Sequence, residues 1–310
     1  MDVILHIGAH RCASTTFQQY LRLNSKKLES SGIAVWGPRR TRNGLFHGLQ
    51  GRSGVATGRG RQCRGIGRVQ MNLARCADQA RTLLVSDENI LGSVFENLQT
   101  GTLYPGAGER LARFYQAFDG HVSDVVLNIR SLDSYWTSAL GYGLTRGRSV
   151  PKSGDLDRLA ETNRSWRDVI ADVGCAMPGA RLWVLPFETY GGRPDTQLRA
   201  VAAAHAPRSH ARIWLNATPR LPQLREIVGP TQAARLPGGD GRWQPFAAAQ
   251  IAAMRERYAD DVMWLLAGGQ GLARLMDDPD KKRAGLNLPL TDKTRGRSND
   301  NQERRMEGAG

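Results

Sequence analysis

Short apolar runs that stop abruptly at glycine or charge set the rhythm of this chain. Residues 3–7 end at Gly8, residues 82–86 at Asp87-Glu88, and residues 122–129 at Arg130; residues 33–36 and 181–187 are similar runs. None alternates strictly between apolar and polar, as strands buried on both faces do not. From Ser14 the pattern changes, with Phe17, Leu21 and Leu28 at helical spacings, and after Arg130 come Tyr135, Trp136, Ala139 and Leu140 in the same rhythm. Helices are also predicted over residues 155–173, 195–204 and 245–267. Alternating strands and helices predict an α/β fold whose parallel sheet is flanked by helices on both faces, with ligands at the carboxyl ends of the strands.

Two stretches break this rhythm. Residues 37–68 are crowded with glycine and arginine and show little periodicity, which predicts a mobile, basic loop region. Residues 280–310, with Lys281-Lys282-Arg283 and few large apolar residues, have the composition of a disordered polar tail. The expected organisation is one domain over 1–279 followed by that tail. A length of 310 residues allows it, at a prior of roughly 150 residues per domain with wide scatter.

Composition changes the picture at one point. Hydrophobic residues at 40% and charged residues at 23% are ordinary for a globular protein, but a net charge of +14 favours anionic partners. Nucleic acid, acidic headgroups, a phosphorylated nucleotide and an acidic glycan all qualify. Cys12, Cys63, Cys76 and Cys175 are scattered without a C-x-x-C pair, which speaks against a zinc site or a disulfide framework and fits a reducing compartment. The first residues have no basic region before their short apolar run, and no stretch approaches 18 apolar residues. A cytoplasmic protein without a membrane span is expected, with peripheral membrane contact left open.

The chemistry concentrates at two corners. Leu5-His6-Ile7-Gly8-Ala9-His10-Arg11-Cys12-Ala13-Ser14-Thr15-Thr16-Phe17-Gln18 places a cation and three hydroxyls where a strand turns into a helix. Free amides and the positive end of the helix dipole suit an anion there. Ser14 as an ordinary helix N-cap is the plainer explanation. The Walker A pattern fails, because Ala13-Ser14 stands where Gly-Lys would be, and an ATPase is disfavoured.

The segment resembles the phosphosulfate loop of sulfotransferases, many bacterial members of which read close to His-Ile-Gly-x-x-Lys-Thr-Gly-Ser-Thr-x-x-Gln. The resemblance implies a P-loop-NTPase-like, sulfotransferase-like fold using 3′-phosphoadenosine 5′-phosphosulfate as co-substrate, without a metal. It further implies that Arg11 replaces the lysine that contacts the transferring sulfuryl group, while Cys12, Ala13, Ser14, Thr15 and Thr16 wrap the 5′-phosphate. Arginine is a broad fork where the family has a compact ammonium. Ala13 stands where the family has glycine, so a positive φ at that position would strain the loop.

A second likeness lies at Val125-Val126-Leu127-Asn128-Ile129-Arg130, with Ser138 eight residues further on. In sulfotransferases an arginine and a serine so placed bind the 3′-phosphate, which implies that role for Arg130 and Ser138. A strand-end salt bridge and an exposed helix serine would be the structural alternative. Between the corners the family carries its catalytic base, and that slot reads Ser86-Asp87-Glu88-Asn89 here. Glu88 is the candidate base, with Asp87 its rival and His47 a weaker one; a solvated strand end capping the next helix explains the acidic pair equally well. Finally, Gly238-Gly239-Asp240-Gly241-Arg242-Trp243-Gln244-Pro245-Phe246 is similar to the segment that closes over the nucleotide in cytosolic sulfotransferases, which implies a 3′-phosphate contact for Arg242.

The expected function is therefore sulfuryl transfer from a phosphoadenosine nucleotide to a hydroxyl or amine of an unidentified acceptor, such as a saccharide or lipid headgroup. The alternatives are a nucleotide kinase on a related loop and a basic nucleic-acid-binding protein; the latter leaves both phosphate corners unexplained, and no specific nucleic acid is expected as a partner. A relative that binds nucleotide without turnover is a further alternative.

Overall fold

Each apolar run becomes a strand of one all-parallel sheet. The computed structural model describes residues 1–51, 58–202 and 206–280. The strands are β1 Asp2–His6, β2 Ile33–Trp36, β3 Thr82–Ser86, β4 Val122–Ile129, β5 Arg181–Pro186 and β6 Arg274–Leu275, in the order β2-β3-β1-β4-β5-β6. The chain divides into a compact unit Met1–Met276 and a second unit Asp277–Gly310. Residues 281–310, most of the predicted tail, lie outside the described residues.

Side chains alternate across the sheet and build two cores. Val3, Leu5, Leu83, Val85, Val125 and Leu127 face one side, against the helices Arg59–Ala77, Ala107–Phe118 and Trp166–Ala176. Ile4, Leu84, Val126 and Leu185 face the other, with Phe17, Tyr20 and Leu21 of the Ser14–Leu23 helix. Burial on both faces is why the strands read as continuous apolar runs. Fully burying one such side chain contributes about 1.5–3 kcal/mol.

His6 joins three strands at their carboxyl ends. Its Nδ1 lies 2.7 Å from the Ser86 hydroxyl of β3 and its Nε2 lies 2.8 Å from Asn128 Oδ1 of β4. Gln197 Nε2 lies 2.9 Å from the same ring nitrogen and 3.4 Å from Asn128 Oδ1, so the ring is enclosed by polar partners from three segments. Burial pulls its pKa from 6.5 to about 4, so the ring is uncharged at neutral pH.

Several helices differ from expectation. The stretch 155–173 is two helices, Ser153–Glu161 and Trp166–Ala176. The second begins at a capping box in which the Asp168 carboxylate accepts from the Ser165 amide at 2.8 Å. The predicted loop 37–68 holds helical turns at Pro38–Arg40 and Thr41–Leu45 and the first half of the Arg59–Ala77 helix; residues 52–57 lie outside the described residues. Its buried face is Gly65, Val69, Leu73 and Cys76, and two of these are too small to make an apolar stripe visible in the sequence. Gly65 is needed there, since a Cβ would come within 2.9 Å of the His47 carbonyl. Helices Val94–Thr100 and Ala107–Phe118, and the two-residue β6, had no predicted counterpart. Among the described residues no helix is long and apolar enough to cross a membrane.

Candidate functional site

The chain leaves β1 toward β2 through helices on one face of the sheet, and leaves β4 toward β5 through helices on the other. The carboxyl ends of β1 and β4 are neighbours, so a crevice opens between them, where open parallel sheets place ligands. Both sequence corners, 8–18 and 130–138, lie at this crevice.

The loop after β1 turns sharply. Gly8, Arg11 and Ala13 all take positive φ, at 60°, 64° and 62°. A side chain at Gly8 would crowd Glu88, its Cβ lying 3.2 Å from the Glu88 Cβ. For Arg11 and Ala13 the left-handed backbone costs about 1–2 kcal/mol each. The anticipated positive φ at Ala13 is therefore present. Ala13 is the residue before the Ser14–Leu23 helix and offers no side-chain cap, so the first helical amides remain turned toward the crevice.

A cleft of about 430 Å³ occupies the crevice, lined by Arg11, Ala13, Ser14, Thr15, Arg130, Ser138 and Arg242, among others. Arg130 Nη1 donates to the Arg11 carbonyl at 3.0 Å, and its guanidinium lies over the Phe187 ring at 4.2 Å. Arg11 Nε donates to the Ser138 hydroxyl at 3.0 Å, and its Nη2 to the Asn216 carbonyl at 2.9 Å. Ser138 is thus bonded to Arg11 and Thr218, although it shares the cleft with Arg130. Neither half-buried guanidinium forms an ion pair among the described residues, and Arg130 Nε is buried without a hydrogen-bond partner. Burial lowers the pKa of both arginines below the ordinary value; Arg130 lowers that of Arg11 further, and Arg242 that of Arg130, although Cys12 and Glu188 oppose the latter. Glu188 is the one carboxylate in a lining that holds three arginines, and such an excess of like charge is stabilised by an anion.

No family model, curated protein or solved structure matches this chain. The geometry stands by itself.

A second cleft, of about 320 Å³, lies on the other side of the same loop: Arg11, Ser14, Thr15 and Asn216 line both. Here the acidic pair separates. Asp87 is fully buried, accepting from the Thr41 hydroxyl at 2.6 Å, from Arg42 at 2.7 Å and from the Asn89 amide at 3.1 Å. It anchors the turn after β3 and does not reach the cleft. Glu88 does, accepting from Gln18 Nε2 at 2.6 Å and pairing with Arg42 at 3.0 Å. Burial alone would push its carboxyl up, but His10, Arg42 and the Gln18 hydrogen bond outweigh that and hold it at about 2. His10 is itself pushed down by burial, so at neutral pH the standing positive charge is that of Arg42.

Other predicted residues fall differently. Cys12 and Thr16 are buried and their side chains do not line the cleft: the Cys12 thiol is pushed up to about 12 by burial, and Thr16 Oγ1 accepts from the Leu215 amide at 3.1 Å. Ser14, Thr15 and Thr16 form the first turn of the helix, where successive side chains point about 100° apart, so the three hydroxyls do not all face one ligand. Arg242 is exposed at the mouth, while neighbouring Trp243 is buried in a small cluster with Leu144 and Leu221. His47 is exposed and lines neither cleft; its carbonyl accepts from Arg68. Sequence reasoning missed the segment 214–219, which crosses the cleft and bonds Thr15, Thr16, Arg11 and Ser138. Asn216 sits there at φ 55°, a conformation asparagine tolerates, but nothing periodic marks the segment. Among the described residues no group of three or more His, Cys, Asp or Glu could hold a metal ion.

Proposed function

We propose that the chain is a sulfotransferase that takes 3′-phosphoadenosine 5′-phosphosulfate in the larger cleft and transfers its sulfuryl group to a hydroxyl or amine presented from the smaller one. The observation that carries this reading is the meeting of Arg11 and Arg130, from two separate strand ends, in one cleft where neither is ion-paired and where Arg242 makes three arginines against one lining carboxylate, Glu188. A ligand with an anionic group at each end would satisfy both.

In this reading the amides at the start of the Ser14–Leu23 helix, with Ser14 and Thr15, hold the 5′-phosphate, and Arg11 stabilises charge at the oxygen bridging phosphorus and sulfur. Arg130 and Ser138 take the 3′-phosphate, and Arg242 adds charge from the mouth. The acceptor oxygen bonds to sulfur as the bond from sulfur to the bridging oxygen breaks; that oxygen keeps the electron pair, and the acceptor proton passes to Glu88. A carboxylate held near 2 is a weak base, so this step requires Arg42 to loosen its grip as the acceptor enters. The four cysteines, all unpaired, support an intracellular setting.

Isothermal titration with adenosine 3′,5′-bisphosphate tests the proposal. Saturable binding is expected, with no requirement for magnesium. Absence of heat at high micromolar ligand, with the protein shown to be folded, would sink it, and magnesium-dependent ATP binding would favour phosphoryl transfer instead.

A further inference from the structure

The smaller cleft has an excess of positive charge that the transfer chemistry does not use. Arg22, Arg39 and Arg146 line it together with Arg11 and Arg42, against one lining carboxylate, Glu88. The three come from separate segments, the Ser14–Leu23 helix, the Pro38–Arg40 turn and the residues after the Leu132–Leu144 helix, so the fold gathers them and no run of sequence does. Arg42 is committed to Asp87 and Glu88. The others are not: Arg22 donates to the neutral Gln19 amide oxygen at 2.9 Å, Arg146 lies 5.3 Å from the Tyr142 ring centroid, and neither these nor Arg39 form an ion pair among the described residues.

Guanidinium groups gathered around a concave site repel one another and focus a positive potential into it. We infer that the acceptor is itself an anion, a hydroxylated molecule whose own carboxylate or sulfate groups are bound by Arg22, Arg39 and Arg146 while one hydroxyl reaches Glu88. This inference takes its chemical meaning from the proposed sulfuryl transfer, although its test does not depend on it. The enclosure of Glu88 selects the source of the charge. Glu88 lines the concave cleft and its side chain is only 10% exposed, so an acceptor hydroxyl must enter the cleft to meet it, which suits a soluble acidic saccharide better than a headgroup held in a membrane surface. Such a ligand would also compete for Arg42, which is the accessible partner of the Arg42–Glu88 pair at 38% exposed.

The experiment uses a trisaccharide of galacturonic acid and its methyl ester, which keeps the hydroxyls and removes the charges. Titrated into the full chain at low salt, the acid is expected to bind and the ester to bind at least tenfold more weakly. Replacing Arg22, Arg39 and Arg146 together by glutamine should weaken the acid at least tenfold, with the thermal midpoint and far-ultraviolet spectrum reporting the fold; the single variant Arg39→Gln, at an exposed position, gives a second measure expected to fall part of the way. Equal affinity for acid and ester, or unchanged affinity in the triple variant, overturns the inference. So does retention on phosphatidylglycerol vesicles that the triple variant loses while the trisaccharide never binds. Charge-dependent saccharide binding without adenosine 3′,5′-bisphosphate binding would leave this inference standing and remove the donor reading; nucleotide binding with charge-blind saccharide behaviour would do the reverse.

Discussion

Two charged pairs flanking the loop after β1 are handled in opposite ways. On the larger cleft, Arg11 and Arg130 are half-buried, mutually repelling and without an ion pair, with Glu188 the one carboxylate in the lining. Across the loop, Asp87 and Glu88 are buried acids tied to a single arginine, Arg42. A settled ion pair anchors the backbone, whereas cations left outside any ion pair keep their capacity for an anionic ligand. Charge alone therefore does not mark a site here; what marks it is charge that the fold leaves uncompensated.

The largest expected break of this contrast is Asp87→Ala. It strips partners from Thr41, Arg42 and the Asn89 amide, and should lower stability by about 3 kcal/mol in denaturant titration. Adenosine 3′,5′-bisphosphate affinity should hardly change; a parallel loss of affinity would show that the two sides are not separable.

Acid titration is next in size. Glu88 has its folded pKa lowered from 4.5 to about 2, so its stabilisation is complete above 4.5 and is lost as pH falls toward 2, about 3 kcal/mol in all. His6 is lowered from 6.5 to about 4, so its share is complete above 6.5 and is lost as pH falls toward 4, where the buried ring must charge. Unfolding free energy measured from pH 7 to 2 should fall through both windows, and Glu88→Gln should flatten only the lower one. A wild-type curve flat from pH 6.5 to 4 would contradict the buried neutral His6.

Arg130→Ala probes the uncompensated side. It should weaken adenosine 3′,5′-bisphosphate at least about tenfold, about 1.4 kcal/mol, by calorimetry. Stability should change little, because the guanidinium now faces repulsion from Arg11 and a buried Nε without a partner. The smallest effect is Ala13→Gly, which relieves a positive φ of 62° and should raise stability by about 0.5–1 kcal/mol in thermal unfolding. A loss of stability there would mean that the loop is not strained.

The sequence by itself determined the strands and the nature of their ends. Runs such as 82–86 and 122–129 are legible because a parallel strand buried on both faces must be apolar at nearly every position, a local requirement that needs no partner to be known. The same local logic exposed the two corners at Arg11 and Arg130. It failed where the buried face is small, as at Gly65 and Cys76 of the Arg59–Ala77 helix, and where the backbone is irregular, as at 214–219. Only the tertiary structure decided that the Arg130 side chain meets the Arg11 carbonyl, that Asp87 points into the protein while Glu88 points into a cleft, and that Arg22, Arg39 and Arg146 share one rim. Those placements depend on strand order and on side-chain direction at single loop residues. Neither leaves a period in the sequence, because each is set by contacts between segments far apart along the chain.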